Sequence, residues 1–89
     1  MKDAINPSHY TDHPSGIECI QITEHMDFLI GNAVKYAWRA GLKDNKVQDL
    51  LKCHWYIARS IIKCYDELPE SEKGNFNESV QKLRVYQNS

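Results

Sequence analysis

Apolar side chains recur at helical spacing along three stretches of the chain. The clearest stretch covers residues 45–67, where apolar positions follow three- and four-residue steps for several turns. A second covers residues 27–40, with Asp27 as a capping residue and Gly41 as a stop signal. A weaker pattern over residues 77–86 predicts a last helix. We therefore expect an all-α protein.

The segment over residues 16–26 is shorter and fits two patterns. Ser15 and Glu18 have the spacing of a capping box, and Ile17 and Ile20 recur at helical spacing. Ile17 and Cys19 also alternate with polar neighbours, so a strand is the alternative. We predict a short first helix here, capped by Ser15.

The length of 89 residues allows one domain and excludes two. We expect an extended lead over residues 1–15, a helical core over 16–68, and a loop with a C-terminal helix over 69–89, residues 70–75 being polar loop. The connector between the second and third helices is short, so these helices should form an antiparallel hairpin. Because such a hairpin has too little interior to enclose a ligand, we also expect a homo-oligomer.

Composition excludes several classes of protein. The formal net charge is −1, whereas proteins that bind polymeric nucleic acid usually carry a basic excess. Apolar residues make up 42% and charged residues 26%, which is ordinary globular usage and not that of a membrane span. Three cysteines without a CxxC pair, and a polar start at Met1, fit a reducing cytoplasm.

The apolar face of the second helix is expected to point inward. Its small residues would let a neighbouring helix come close; they include Ala33, Val34, Ala37 and Ala40. Gly31 costs this helix about 1 kcal/mol relative to alanine, which the close approach of a partner helix or a ligand would explain. On the third helix, His54 falls on the apolar side and is predicted to be a core histidine.

A polar stripe occupies another face of the second helix. Its members are Asn32 and the residues three, four and seven positions after it: Lys35, Tyr36 and Arg39. Lysine and arginine bind phosphate, and tyrosine can stack on a base. The stripe therefore predicts a site for a phosphate-bearing ligand. A row of solvated charges is the alternative, and it is the more common explanation of such a pattern.

Further basic and aromatic residues extend this prediction. Lys43, just after Gly41, continues the stripe, and the third helix carries a second mixed set: Lys52, Trp55, Tyr56, Arg59 and Lys63. This set is either a second wall of the ligand site, an oligomer contact, or basic side chains lying over an aromatic surface. We assign Lys52 and Tyr56 to the site.

Motifs for phosphoryl transfer are missing from the sequence. Neither GxxxxGK[ST] nor GxGxxG occurs, and the second and third helices lack paired carboxylates that would hold magnesium. Asp49 stands alone and is interpreted as a helix N-terminal charge. The four histidines form no metal motif. We predict no catalytic residues, no metal site and no cofactor, with magnesium and ATP entering only under a kinase hypothesis.

Several motifs together resemble those of a family of short phage proteins, formerly a domain of unknown function and described as phage nucleotide kinases. The motifs lie between about residues 8 and 60: His9-Tyr10, Gly16-Ile17-Glu18, GNAVKY at 31–36, RAGLK at 39–43, Asp49-Leu50, Lys52 and Trp55-Tyr56. The resemblance implies a bacteriophage origin, the cytoplasm of an infected host, a nucleotide ligand and a homo-oligomer. It also implies that His9 and Tyr10 act as a lid.

Three functional hypotheses follow. The first is a nucleotide-binding protein that captures its ligand, a nucleotide or cyclic nucleotide, as a sponge for a host defence signal. The second is a nucleotide kinase that phosphorylates nucleoside monophosphates. The third is a protein-interaction module that uses Trp55 and Tyr56 to cap a host protein. Missing catalytic motifs favour the first over the second, and the polar stripe favours both over the third, since interface centres are depleted in charge.

Overall fold

The computed structural model describes residues 13–42 and 44–88. This part of the chain forms helices and contains no strand. Their bounds are α1 Cys19–Thr23, α2 Phe28–Ala40, α3 Lys46–Asp66, α4 Glu70–Lys73 and α5 Asn77–Gln87. The all-α prediction is confirmed. No helix in the described ranges has the length and apolar content needed to cross a membrane.

Helix α1 begins later than the sequence predicted and ends earlier. Gly16 has φ +76°, a left-handed backbone conformation that a right-handed helix cannot include, so α1 cannot start there. The Ser15 Oγ accepts a hydrogen bond from the Ile17 N–H at 3.2 Å and caps no helix. Instead the Glu18 N–H donates to Gln21 Oε1 at 2.7 Å at the true start. The predicted cap at Ser15 is wrong.

Helix α2 has the predicted bounds and packs against both α1 and α3. The Asp27 Oδ1 accepts a hydrogen bond from the Ile30 N–H at 2.9 Å, which caps the helix. Ala33 and Ala40 are buried, but Ala37, expected inward, is exposed. Ala37 is rotated about 50° around the helix axis from the other two, so the buried face is narrower than predicted.

The end of α1 packs against the glycine in α2. A Cβ atom on Gly31 would lie 3.4 Å from the Thr23 carbonyl oxygen and 3.8 Å from the Met26 Cβ. Gly31 itself is buried. Both distances are ordinary van der Waals distances, so the approach of α1 does not by itself require glycine at this position.

Helix α3 agrees with its predicted bounds to within one residue and also packs against α5. The polar contacts that attach α5 include an ion pair between Arg84 and Asp66, a hydrogen bond from the Tyr65 hydroxyl to Asn77 Oδ1, and a bond from Gln87 Nε2 to the Trp55 carbonyl oxygen at 3.1 Å. Helix α5 therefore covers one side of α3 and leaves other sides open.

Two further predictions about this region are wrong. His54 is exposed at the margin of α5, where its ring lies 4.7 Å from that of Tyr86, so it is not a core histidine. The predicted polar loop over residues 70–75 contains the short helix α4. Pro69 precedes that helix, and Glu70 and Glu72 lie in its first turn, where the helix dipole favours negative charge.

The interior of the described part is small. Its buried apolar side chains are Cys19, Ala33, Ala40, Ala58, Ile62 and Val80, most of them short. One charged residue, Asp49, is buried among them with 1% of its surface exposed. Much apolar surface therefore remains outside the core, including Phe28 and Trp55 beside the polar stripe.

Candidate functional site

The polar stripe lies on α2 between the faces that pack against α1 and α3. Asn32, Lys35, Tyr36 and Arg39 are all half-buried. Tyr36 contacts the aromatic side chain of Tyr56 on α3, and the charge of Lys35 acts on Cys19 of α1. The stripe is therefore partly enclosed by its neighbours.

Two tyrosines from different helices stack at the centre of this face. The ring centroids of Tyr36 and Tyr56 lie 5.9 Å apart, with 14° between the ring planes. Phe28 and Trp55 contact the Tyr56 ring edge-on, at centroid distances of 6.3 and 5.2 Å. Such offset-stacked and edge-to-face pairs are favourable arrangements, so the four rings form one aromatic surface across α2 and α3.

Two lysines, one from each helix, converge on this surface. Lys35 Nζ lies 5.1 Å from the centroid of the Tyr36 ring, and Lys52 Nζ lies 5.3 Å from the same centroid. Both distances are within the range of cation–π attraction. The structure thus brings together four residues that the sequence predicted for the site on two separate helices.

Arg39 forms an ion pair with Asp49, an acid that was not predicted to belong to the site. Its Nε lies 3.5 Å from Asp49 Oδ2, and neither atom has a hydrogen-bond partner among the described residues. The side chain of Asp49 is 2% exposed and that of Arg39 is 33% exposed. Asp49 lies in the first turn of α3, as predicted, but its burial makes it the partner of Arg39 and not a surface charge.

A small cleft adjoins the aromatic surface at the start of α2. Its volume is about 180 Å³, and it is lined by Thr23, Met26, Asp27, Phe28, Gly31, Asn32 and Lys35. The Asn32 side chain is hydrogen-bonded within its own helix, because its Nδ2 donates to the Phe28 carbonyl oxygen at 2.8 Å. Pockets that bury whole small molecules are larger, about 300–1,000 Å³. The cleft is therefore too small to bury a whole small molecule.

Cys19 is the titratable group of this region with a displaced pKa. Burial raises the pKa of the thiol, and this effect outweighs the positive charge of Lys35 and the hydrogen bond with Thr23, which both lower it. At neutral pH the thiol is therefore protonated. Cys19 is buried in α1, where its thiol is influenced by the charge of Lys35.

Some predicted residues are not part of this arrangement. Arg59 and Lys63 line a separate groove of about 430 Å³ with Asp66, Glu67 and Arg84, whereas Lys52, Trp55 and Tyr56 of the same predicted set lie at the aromatic surface. His9, Tyr10 and Lys43 lie outside the described residues. Phe28 was not predicted for this face because its apolar character suggested packing, whereas it is exposed in the first turn of α2 and its ring contacts that of Tyr56.

Comparison with known proteins finds a family to which the chain is similar. A family model described as a protein of unknown function, DUF3310, matches residues 5–58. The match includes α1, α2, the first half of α3 and every residue predicted for the site. No curated protein and no solved structure matches the chain. The chain therefore belongs to the DUF3310 family.

Proposed function

We propose that this protein binds a nucleotide on the face shared by α2 and α3. The observation that supports the proposal is the convergence of Lys35 and Lys52 on the stacked pair Tyr36–Tyr56. The proposal treats α2 and α3 as the antiparallel hairpin that the short connector predicts. In this arrangement the base lies against the tyrosine surface, and the phosphates lie between the two ammonium groups.

The energetics of such a site are favourable. A base that stacks on an aromatic side chain contributes about 1–3 kcal/mol. Hydrogen bonds that involve a charged group contribute about 1.5–3 kcal/mol each, so each lysine that contacts a phosphate group adds about as much as the stacked base. The aromatic surface does not discriminate between bases, because every base has a flat face. Selectivity for one base must then come from contacts in the cleft of about 180 Å³ beside Asn32.

Arg39 contributes a third cation on the same face. One third of its side-chain surface is exposed, while its Nε faces the buried Asp49. The carboxylate restrains the guanidinium and reduces the conformational entropy that the arginine would lose on binding a phosphate. Arg39 thus extends the positive region along the axis of α2 toward its C-terminal end.

The biological role that we propose is capture without chemical change. A bacteriophage protein in the cytoplasm of an infected cell would sequester a nucleotide or cyclic nucleotide that signals host defence. Aromatic and cationic side chains are sufficient for this role, because capture needs neither base, nucleophile nor metal. Transfer of phosphate to a nucleoside monophosphate is the alternative, and it would require magnesium and ATP in addition.

The test incubates the pure protein with a panel of mono-, di-, tri- and cyclic nucleotides, with and without magnesium and ATP. Binding is measured by calorimetry, and the mixture is then denatured and chromatographed. A ligand that binds and returns unchanged supports capture. A new phosphorylated product would establish the kinase alternative. Failure of the whole panel to bind would refute the nucleotide proposal and favour a protein-interaction module.

Variants connect the binding to the proposed face. Lys35→Ala and Lys52→Ala should each weaken binding about tenfold, because each removes one charged contact. Lys82→Ala on α5 removes the same charge from an exposed position away from the site and serves as the matched control. Equal affinities for all three variants would place the ligand elsewhere on the molecule.

The tyrosine surface needs its own pair of variants. Tyr56→Phe keeps the ring and should bind within about twofold of the parent protein, whereas Tyr56→Ala should lose about tenfold or more. Both variants are compared by circular dichroism to verify the helices. If the phenylalanine variant loses as much affinity as the alanine variant, the hydroxyl rather than the ring contacts the ligand.

A further inference from the structure

A second pair of cations lies on α3 beyond the tyrosine surface. Arg59 and Lys63 follow Tyr56 by three and seven residues, and Lys52 precedes it by four. Residues at these intervals share one side of a helix. At about 1.5 Å of rise per residue, Lys63 lies about 10 Å further along α3 than Tyr56, and Lys52 lies about 6 Å before it. Along the helix axis, Tyr56 therefore lies between cations on both sides.

The groove that contains this second pair is large enough for a ligand group. Its volume is about 430 Å³, within the range of about 300–1,000 Å³ that is typical of small-molecule pockets. Half-buried Leu29 and buried Ile62 form its apolar part. Leu29 directly follows Phe28, whose ring contacts that of Tyr56. The groove and the aromatic surface are therefore bordered by neighbouring residues of α2.

The cations of the groove differ in whether a carboxylate already pairs with them. Arg84 forms an ion pair with Asp66. Arg59 and Lys63 are exposed, and neither forms an ion pair or a hydrogen bond with another residue in the described ranges. Because no internal contact has to break first, these two side chains can bind an anionic group directly. Arginine and lysine are the side chains that proteins use for phosphate.

The far end of the groove disfavours an anion. Glu67 lies four residues beyond Lys63, about 6 Å further from Tyr56, and its carboxylate repels phosphate. Helix α3 ends at Asp66, and the C-terminal end of a helix carries partial negative charge. A phosphate group is therefore favoured only in the part of the groove nearest to Tyr56, beside Arg59 and Lys63.

We propose that the ligand is a nucleoside that carries phosphate at both its 5′ and its 3′ position. The base stacks on the tyrosine surface, one phosphate lies between the two lysines of the proposed site, and the other lies beside Arg59 and Lys63. This inference rests on the proposed function, which supplies the base and the first phosphate. Nucleoside 3′,5′-bisphosphates and dinucleotides, linear or cyclic, share this chemistry. A nucleotide with all its phosphates on the 5′ side reaches only one of the two pairs of cations.

Two ligands with the same number of phosphate groups test the inference. The 5′-diphosphate and the 3′,5′-bisphosphate of one nucleoside differ in where the second phosphate is attached. Calorimetry measures both affinities, and that of the 5′-monophosphate, for adenosine, guanosine, cytidine and uridine. The bisphosphate should bind at least about tenfold more tightly than the diphosphate, because only the bisphosphate reaches Arg59 and Lys63.

The outcomes separate this inference from the proposed function. If the 5′-monophosphate binds and the two doubly phosphorylated compounds bind equally well, the inference is wrong and the proposed function stands. If none of the compounds binds, and linear and cyclic dinucleotides also fail to bind, the proposed function is wrong and the inference with it. A preference for the 5′-diphosphate would likewise overturn the inference.

Variants connect the preference to the groove. Arg59→Ala/Lys63→Ala should abolish it, so that the two compounds bind within about twofold of each other. Lys46→Ala/Lys82→Ala is the matched control, since it removes two exposed cations that do not line the groove, and it should keep the tenfold preference. Circular dichroism verifies that both variants fold. A preference that persists in Arg59→Ala/Lys63→Ala would overturn the placement of the second phosphate.

The same double variant identifies the source of the second phosphate. The bisphosphate is compared with a linear and a cyclic dinucleotide of the same base, each on the parent protein and on Arg59→Ala/Lys63→Ala. The compound that binds the parent protein most tightly, and loses at least about tenfold in the variant, is the class that uses both pairs of cations. Equal binding of every compound to parent and variant would overturn the inference for all three classes.

Discussion

Arg39 Nε and Asp49 Oδ2 lie 3.5 Å apart and join α2 to α3 next to the connector between them. The two partners differ in solvent access: Asp49 is buried, whereas a third of the Arg39 side chain is exposed. A buried carboxylate without its cation is costly, while a partly exposed guanidinium can be hydrated. The pair is therefore structural on the aspartate side and available to a ligand on the arginine side.

Unequal losses of stability should follow from this asymmetry. Arg39→Ala leaves a buried carboxylate without a partner and should lower the free energy of unfolding by about 2 kcal/mol, less than for a fully buried pair because water reaches the arginine. Asp49→Ala should cost only about 1 kcal/mol. Urea unfolding followed by circular dichroism measures both values. A larger loss for Asp49→Ala would contradict this account of the pair.

The double variant Arg39→Ala/Asp49→Ala gives a cleaner test of the arginine as a phosphate ligand. Removing both charges should restore part of the stability that Arg39→Ala loses, since no buried charge remains unpaired. If Arg39 binds phosphate, the double variant should bind nucleotide about tenfold more weakly than the parent protein although it folds well. Parent-like affinity in the folded double variant would limit Arg39 to a structural role.

Gly31→Ala should be tolerated and should raise the melting temperature. The new methyl group would contact the Thr23 carbonyl oxygen at 3.4 Å, which is an ordinary contact, while alanine stabilises the helix by up to about 1 kcal/mol. Thermal unfolding measures the effect, and Gly31→Val serves as the larger comparison. A lower melting temperature for Gly31→Ala would show that the added methyl group clashes with the end of α1.

The same substitution separates two explanations of the glycine. Gly31 lines the cleft of about 180 Å³ next to Lys35. If a ligand enters that cleft, Gly31→Ala should weaken nucleotide binding severalfold while the protein becomes more stable. Unchanged affinity would mean that no ligand occupies the part of the cleft next to Gly31.

Alkylation should distinguish the three cysteines. Cys64 is exposed, Cys53 is half-buried and Cys19 is buried, and burial raises the pKa of the Cys19 thiol. Iodoacetamide at pH 8 should therefore modify Cys64 first and Cys19 last, as followed by mass spectrometry. In denaturant the three rates should become similar, which serves as the control. Rapid modification of Cys19 in the folded protein would contradict its placement.

The raised pKa of Cys19 also predicts the sign of a pH effect. The folded protein keeps this proton at pH values where the unfolded chain has lost it, so folding is favoured at lower pH. The contribution of Cys19 to stability is full below about pH 8.5 and declines as the pH rises above that value. Urea unfolding at pH 8 and pH 10 measures the decline, and Cys19→Ala should reduce it.

The helices of this protein were largely predictable from local pattern. The cap at Asp27 and the long apolar repeat of α3 involve residues close in sequence, so α2 and α3 were predicted to within one residue. α1 was misplaced because the left-handed conformation of Gly16 is not evident from composition. His54 and Ala37 were predicted to be buried because periodicity indicates a face, but not how much of it a neighbour covers.

The sequence by itself determined which residues share each face, because helical spacing alone aligns Asn32 with Tyr36 and Lys52 with Tyr56. Only the tertiary structure decided that these two faces meet, that the tyrosine rings stack, and that Arg59 and Lys63 lie apart from them. It also decided that Asp49 is buried against Arg39. The physical reason is that spacing defines a direction around one helix axis, whereas burial and pairing depend on how two axes are placed against each other.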